Sequence, residues 1–158
     1  METLVTTKQL TIGSTAFGHK EYIPSKYTCE GANINPPLMI EGIPSSAKSL
    51  AIVVEDPGSE HGVFVHWAVW NIYPQEIITE NNIPGVQGRN SFGKTKYQGP
   101  CPPEGKAHRY YFKVYALDSF LELESGADIK ILDEVISDHV IAYGEIIGLY
   151  RKSIKNIR

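Results

Sequence analysis

The stretch Tyr97–Asp118, YQGPCPPEGKAHRYYFKVYALD, decides how the rest of the chain is read. Its first part, Gly99-Pro100-Cys101-Pro102-Pro103, is stiff and poor in donors, because proline fixes φ and lacks an N–H. Such a bend serves as a pocket wall and not as a ladder. From His108 to Leu117 the residues become aromatic and β-branched, which predicts a strand. Alternation along it places His108, Tyr110, Phe112 and Val114 on one face and Arg109, Tyr111, Lys113 and Tyr115 on the other. An imidazole and a phenol therefore share a face just after a rigid bend.

Two upstream segments offer partners to that face. Ser49–Glu55 (SLAIVVE) is short, continuous and β-branched, the pattern of a central strand covered on both sides. Asp56-Pro57-Gly58 reads as its stop, which sets the Asp56 carboxylate at the mouth of the core, partly desolvated. An Asx turn capping the strand end is the purely structural alternative. Phe64–Asn71 (FVHWAVWN) predicts the next strand, with Phe64, His66, Ala68 and Trp70 on one face and Val65, Trp67 and Val69 on the other. By itself, a histidine in an apolar strand is more often a satisfied core residue than a working group. His61 falls in the loop before this strand.

The remaining chain is punctuated by turns. Residues 8–24 carry short apolar pulses broken by Gly and Pro, suited to an edge strand and loop, and residues 25–37 are turn-forming. Tyr73–Tyr97 is a long loop-rich connection containing the polar run Gln87–Ser91; such length points to a functional loop. A single short helix is expected over Asp128–Ser137, where Ile129, Leu132 and Ile136 repeat at helical spacing behind a Ser125/Asp128 capping region. Val140–Tyr150 returns to strand composition, with Gly144 and Gly148 as bulge or close-approach positions, and the basic tail RKSIKNIR reads as a solvated end. Many short strands and one late helix predict a mostly β fold, an antiparallel β-sandwich with a small C-terminal helix.

Composition narrows the partners. At 158 residues, 42% hydrophobic and 21% charged, the chain is long enough for one domain spanning residues 1–158 with its own core. A net charge of −3 argues against nucleic acid or an anionic membrane as the partner. The N-terminus METLVTTKQL lacks a basic segment followed by an apolar run, and no long apolar stretch or amphipathic anchor occurs, so a cytoplasmic protein without stable membrane insertion is expected. Cys29 and Cys101 are too few for a disulfide scaffold or a structural zinc site. They read as two reduced thiols, with a single bridge as the alternative. Exposed aromatics such as Trp67 or Trp70 would suit a homodimer interface.

Convergence of Asp56, His66, His108 and Tyr110 would give two imidazoles and a phenol beside a carboxylate, a compact site for a phosphate or carboxylate. Asp56 would orient the histidines, and binding should strengthen as pH falls through the histidine range. The rival reading is a metal- or thiol-dependent hydrolase using Asp56, His66 and His108, or Cys101. A phosphate-sized ligand tolerates a looser ring of side chains than a metal ion does. The proline bend also offers few N–H donors for an oxyanion hole. The chain therefore reads as a binding protein, not an enzyme, with no cofactor or metal.

Several motifs carry a resemblance. They are Glu55-Asp56-Pro57, Phe64-Val65-His66-Trp67, Gly88-Arg89-Asn90-Ser91-Phe92-Gly93-Lys94, and Gly99-Pro100-Cys101-Pro102-Pro103-Glu104-Gly105 running on to His108-Arg109-Tyr110. Together with Ile23–Gly31, Asn35–Leu38 and Gly148–Arg151, they make the chain resemble the phosphatidylethanolamine-binding protein family, in its prokaryotic Raf-kinase-inhibitor-like branch. The resemblance implies a sandwich of antiparallel sheets with a small anion-binding cavity. It places Asp56, His66, His108 and Tyr110 in the pocket, with Phe64, Pro102 and Pro103 as walls. The family name suggests a kinase or protease as a protein target. Two departures stand out. The family's Asp-Pro-Asp-Ala-Pro is here Asp56-Pro57-Gly58-Ser59-Glu60, which predicts a wider, less acidic and more mobile mouth, and Met39-Ile40 stands where a tryptophan is common.

Overall fold

The β-branched and aromatic runs pair into two sheets in the computed structural model, which describes residues 7–153. Strands β1 (Lys8–Gln9), β2 (Thr11–Gly13), β3 (Glu21–Tyr22) and β4 (Leu38–Glu41) precede two long strands, β5 (Ser49–Ser59) and β6 (Gly62–Ile72). Then follow β7 (Ile77–Ile78), β8 (Val86–Gln87), β9 (His108–Leu117), the helix α1 (Ile129–Ile136) and β10 (Val140–Tyr150). Among the described residues, a seven-stranded sheet runs β1-β10-β9-β5-β6-β8 with β3 also on β10, and β2-β4-β7 form a three-stranded sheet. Neither sheet closes on itself. The expected N-terminal character and basic tail concern residues 1–6 and 154–158, wholly or in part, and those lie outside the described residues.

The central strand is covered on both faces, as its continuous apolar pattern predicts. Ile52 and Val54 of β5 join Phe112 and Val114 of β9 against Ile12, Leu38, Ile40 and Ile78 of the small sheet. Ala51 and Val53 face the other way, onto Trp70, Leu117 and the Leu132 and Ile136 side chains of α1. Each fully buried aliphatic side chain here contributes about 1.5–3 kcal/mol of transfer free energy. The helix begins where the capping pattern puts it, with the Asp128 carboxylate accepting from Ile131 N at 3.2 Å. No helix among the described residues is long and apolar enough to cross a membrane.

Four expectations are corrected. First, β5 does not stop at Asp56-Pro57-Gly58 but continues to Ser59, with the register irregular between Asp56 and Ser59. Second, the simple alternation of β6 fails, because Val54 pairs with Trp67 while Glu55 pairs with Val65, leaving His66 as the extra residue of a bulge. The bulge shifts the phase, so Trp67 and Val69 join the small-sheet core while Val65, Ala68 and Trp70 face α1. Third, Trp67 and Trp70 are buried, with indole N–H groups donating to Gln87 Oε1 and the Leu123 carbonyl, so neither offers a dimer surface.

The large sheet is mostly antiparallel, as expected, with only the short β1 and β3 lying parallel to β10 among the described residues. The close approach there explains two glycines: a Cβ on Gly144 would collide with the Leu10 carbonyl, and one on Gly148 with the Ile23 side chain. Fourth, Cys29 and Cys101 are not reduced but bridged, 72 residues apart with Cα atoms separated by 5.4 Å. Loop contacts bring them together, as Tyr97 Oη donates to the Tyr27 carbonyl at 2.8 Å and Gly99 N–H to Asn33 Oδ1 at 2.8 Å.

Candidate functional site

The ladder between β5 and β9 ends at the pair Glu55–Tyr111, and just beyond it the side chains of Asp56 and His108 meet. Asp56 is only 4% exposed. Its Oδ2 accepts from His108 Nδ1 at 2.6 Å, and its Oδ1 accepts from the Gly58 N–H at 2.9 Å. The Asx turn and the functional partnership are thus both present, one on each oxygen. Because a carboxylate can only accept, the hydrogen sits on His108 Nδ1 and Nε2 is left for a ligand.

His66 sits on the bulge of β6, also 4% exposed, with Nδ1 held 2.7 Å from the Gln98 carbonyl. That carbonyl makes Nδ1 the donor and leaves Nε2 uncommitted. Burial lowers the pKa of His66, outweighing the opposing pull of the Gln98 carbonyl and the Asp56 charge. The ring is neutral at pH 7, and Nε2 is an acceptor. Tyr110 on β9 is 1% exposed, and burial, reinforced by the Asp56 charge, raises its pKa far above the ordinary phenol value. It remains an O–H donor. The bulge and the strand alternation thus deliver His66, His108 and Tyr110 to one place, with Asp56 behind them.

Aromatic rings complete the enclosure. The His66 ring lies 5.3 Å from Tyr110, 5.1 Å from Phe64 and 5.7 Å from Phe92, and His108 stacks over Tyr110 at 6.4 Å. These side chains line a cavity of about 400 Å³, closed on one side by Pro102, Pro103 and Cys101. Every residue singled out from the sequence lines it. The mouth departs from expectation: position 58 has no side chain, yet Glu60 and Glu104 line the cavity, together with His61 and Lys106, so it is not poor in carboxylates. A Cβ at position 58 would sit 3.6 Å from Asp56 Oδ1, an ordinary contact, so sterics do not demand this glycine.

Sequence reasoning missed Phe92 as a wall and Asn90 and Gln98 as supports. Asn90 is buried; its Oδ1 accepts from Phe92 N at 2.9 Å and Lys94 N at 3.0 Å, and its Nδ2 donates to the Lys96 carbonyl and Gln98 Oε1. Next to it, Ser91 Oγ accepts from Val65 N at 2.8 Å. One asparagine thereby shapes the loop that presents Phe92 to the cavity and aims the Gln98 carbonyl at His66. The available signal was the polar run Gln87–Ser91 followed by a lone aromatic.

The hydrolase alternative loses its nucleophile, because Cys101 is in the disulfide and carries no thiol. Among the described residues no group of three or more His, Cys, Asp or Glu side chains is placed to hold a metal ion.

A family model described as phosphatidylethanolamine-binding protein matches residues 13–151. A UPF0098 protein of Pyrococcus horikoshii is 51% identical over 150 residues, covering 88% of this chain and 75% of that protein. The crystal structure of a phosphatidylethanolamine-binding protein homologue from Chlamydia trachomatis superposes with a TM-score of 0.87 at 40% identity, over 93% of this chain and 100% of the other. That of YbcL from Escherichia coli, described as a new member of the mammalian phosphatidylethanolamine-binding protein family, gives 0.84 at 29% identity over 91% of this chain and 99% of the other. On its motifs, its fold and these matches, the chain belongs to the phosphatidylethanolamine-binding protein family, in its prokaryotic branch.

Proposed function

We propose that this chain is a non-catalytic binding protein whose cavity recognises a small anionic group: a phosphate, a phosphorylated head group or a carboxylate. One observation carries the reading: His108, His66 and Tyr110 converge on one cavity, and both histidines have Nδ1 anchored at 2.6–2.7 Å so that Nε2 is left for a ligand. Tyr110 donates to an anionic oxygen. His108, when protonated, donates from Nε2 while Asp56 balances its charge, and neutral His66 accepts from a ligand hydroxyl, ammonium or acidic proton. Family membership supports a ligand-binding role and gives no support to hydrolysis.

The test is calorimetric titration of inorganic phosphate and of phosphoethanolamine into the native protein and His108→Ala. Loss of a charge-assisted donor should weaken both by about tenfold or more. Equal affinities would remove the pocket from the account. The cytoplasmic compartment expected from composition stands beside a cystine, which persists in oxidising compartments and in intracellular proteins of hyperthermophiles. Thiol alkylation of protein taken from its native cell separates these, since a reducing compartment would yield two modified cysteines.

A further inference from the structure

A second cavity, of about 430 Å³, lies against the first and shares Asp56, Gly58, Lys106 and His108 with it. Its own lining includes Arg109 and Tyr111, which point to the opposite face of β9 from His108 and Tyr110. The two cavities therefore lie on the two sides of the sheet end where β5 and β9 part, and the Asp56–His108 bond is the partition between them. Their chemistry differs. In the second cavity the only carboxylate is Asp56, whose two oxygens are already taken by His108 and the Gly58 N–H.

Against it stand Lys106 and Arg109, and none of the ion pairs among the described residues uses either cation. The nearest acid on β5, Glu55, is paired with Lys113 at 2.7 Å. A guanidinium and an ammonium outside every ion pair among the described residues, beside a phenol at the lip of a cavity, match a phosphate or carboxylate, and the guanidinium can bind either through two N–H groups.

We propose that this second cavity is an anion subsite, so that the ligand carries two acidic groups, one on each side of the Asp56–His108 pair. The ligand is a small bisphosphate or phosphocarboxylate; this rests on the reading of the first cavity as an anion site. Gly58 lines both cavities and carries no side chain, and the connecting atoms pass beside it.

Fructose 6-phosphate and fructose 1,6-bisphosphate differ by one phosphate and serve as probes. Both are titrated calorimetrically into the native protein, Arg109→Gln and the distant control Lys130→Gln. Arg109 is exposed and lines only the second cavity, so its substitution leaves the first intact. The native protein should prefer the bisphosphate by about tenfold, and Arg109→Gln should lose most of that preference while keeping monophosphate affinity within about twofold. Lys130→Gln should match the native protein. Equal affinity of the native protein for the two sugars overturns the second subsite and leaves the first standing, as does a preference that survives Arg109→Gln or falls equally in Lys130→Gln. Bisphosphate binding that depends on Arg109 without measurable binding of the monophosphate or of inorganic phosphate keeps the second subsite and removes the first. Binding of none of these probes overturns both.

Discussion

At the scale of the residue, burial sets the protonation state of His66 and one backbone carbonyl sets its tautomer. Its ring sits among Phe64, Phe92 and Tyr110, so an imidazolium there would lose its hydration, and the attraction of Asp56 does not compensate. The folded-state pKa lies below the ordinary histidine value of about 6.5. As pH falls from that value toward the folded pKa, the unfolded chain takes up a proton that the folded chain refuses. Stability therefore drops through that window and levels off below it. Urea unfolding followed from about pH 7.5 to about pH 5 should show this loss in the native protein and a shallower slope in His66→Gln; identical slopes would mean that His66 is not held neutral. His108 and Tyr110 were legible from a strand start and simple alternation, and Asp56 because it directly follows the apolar run Ser49–Glu55. The orientation of His66 was not, since nothing local in FVHWAVWN marks the bulge that turns it, and Asn90 and Phe92 act from a loop whose path only tertiary contacts define.

At the scale of the element, β9, β10 and α1 were readable to within a residue because their patterns are local: two aromatic and β-branched runs, and an Asp cap before helical spacing. The bounds of β5 were not, because an Asp-Pro-Gly sequence that ordinarily ends a strand is here accommodated as an irregularity that swings Asp56 toward His108. The loops hold the largest surprise. Cys29 and Cys101 give no sign of pairing in their spacing, yet their bridge fastens the proline-rich wall of the cavity to the turn after Tyr27. Closing a loop of 72 residues should stabilise the fold by about 4 kcal/mol on the chain-entropy account. Urea denaturation of the Cys29→Ser/Cys101→Ser protein should recover a loss of that order. A loss below about 1 kcal/mol would show that the wall holds its place without the bridge.

At the scale of the molecule, one strand serves two cores: β5 gives Ile52 and Val54 to the layer shared with the small sheet and Ala51 and Val53 to the layer under α1. The bulge of β6 places Trp67 in the first layer and Trp70 in the second, a native pair of reporters. If the shared strand makes the two layers a single cooperative unit, Trp70→Phe and Trp67→Phe proteins should each lose their remaining tryptophan signal at the same urea concentration as their own circular dichroism. Fluorescence and dichroism that separate in either variant would mean that the layers unfold independently. That arrangement lets three strands and a loop hold Asp56, His66, His108 and Tyr110 around one space. The claim that this space is an anion site is met most directly by a crystal structure of the protein soaked in phosphate. Phosphate is expected within hydrogen-bond distance of Tyr110 Oη and the Nε2 atoms of His66 and His108. Phosphate bound elsewhere with this cavity holding only water would contradict it.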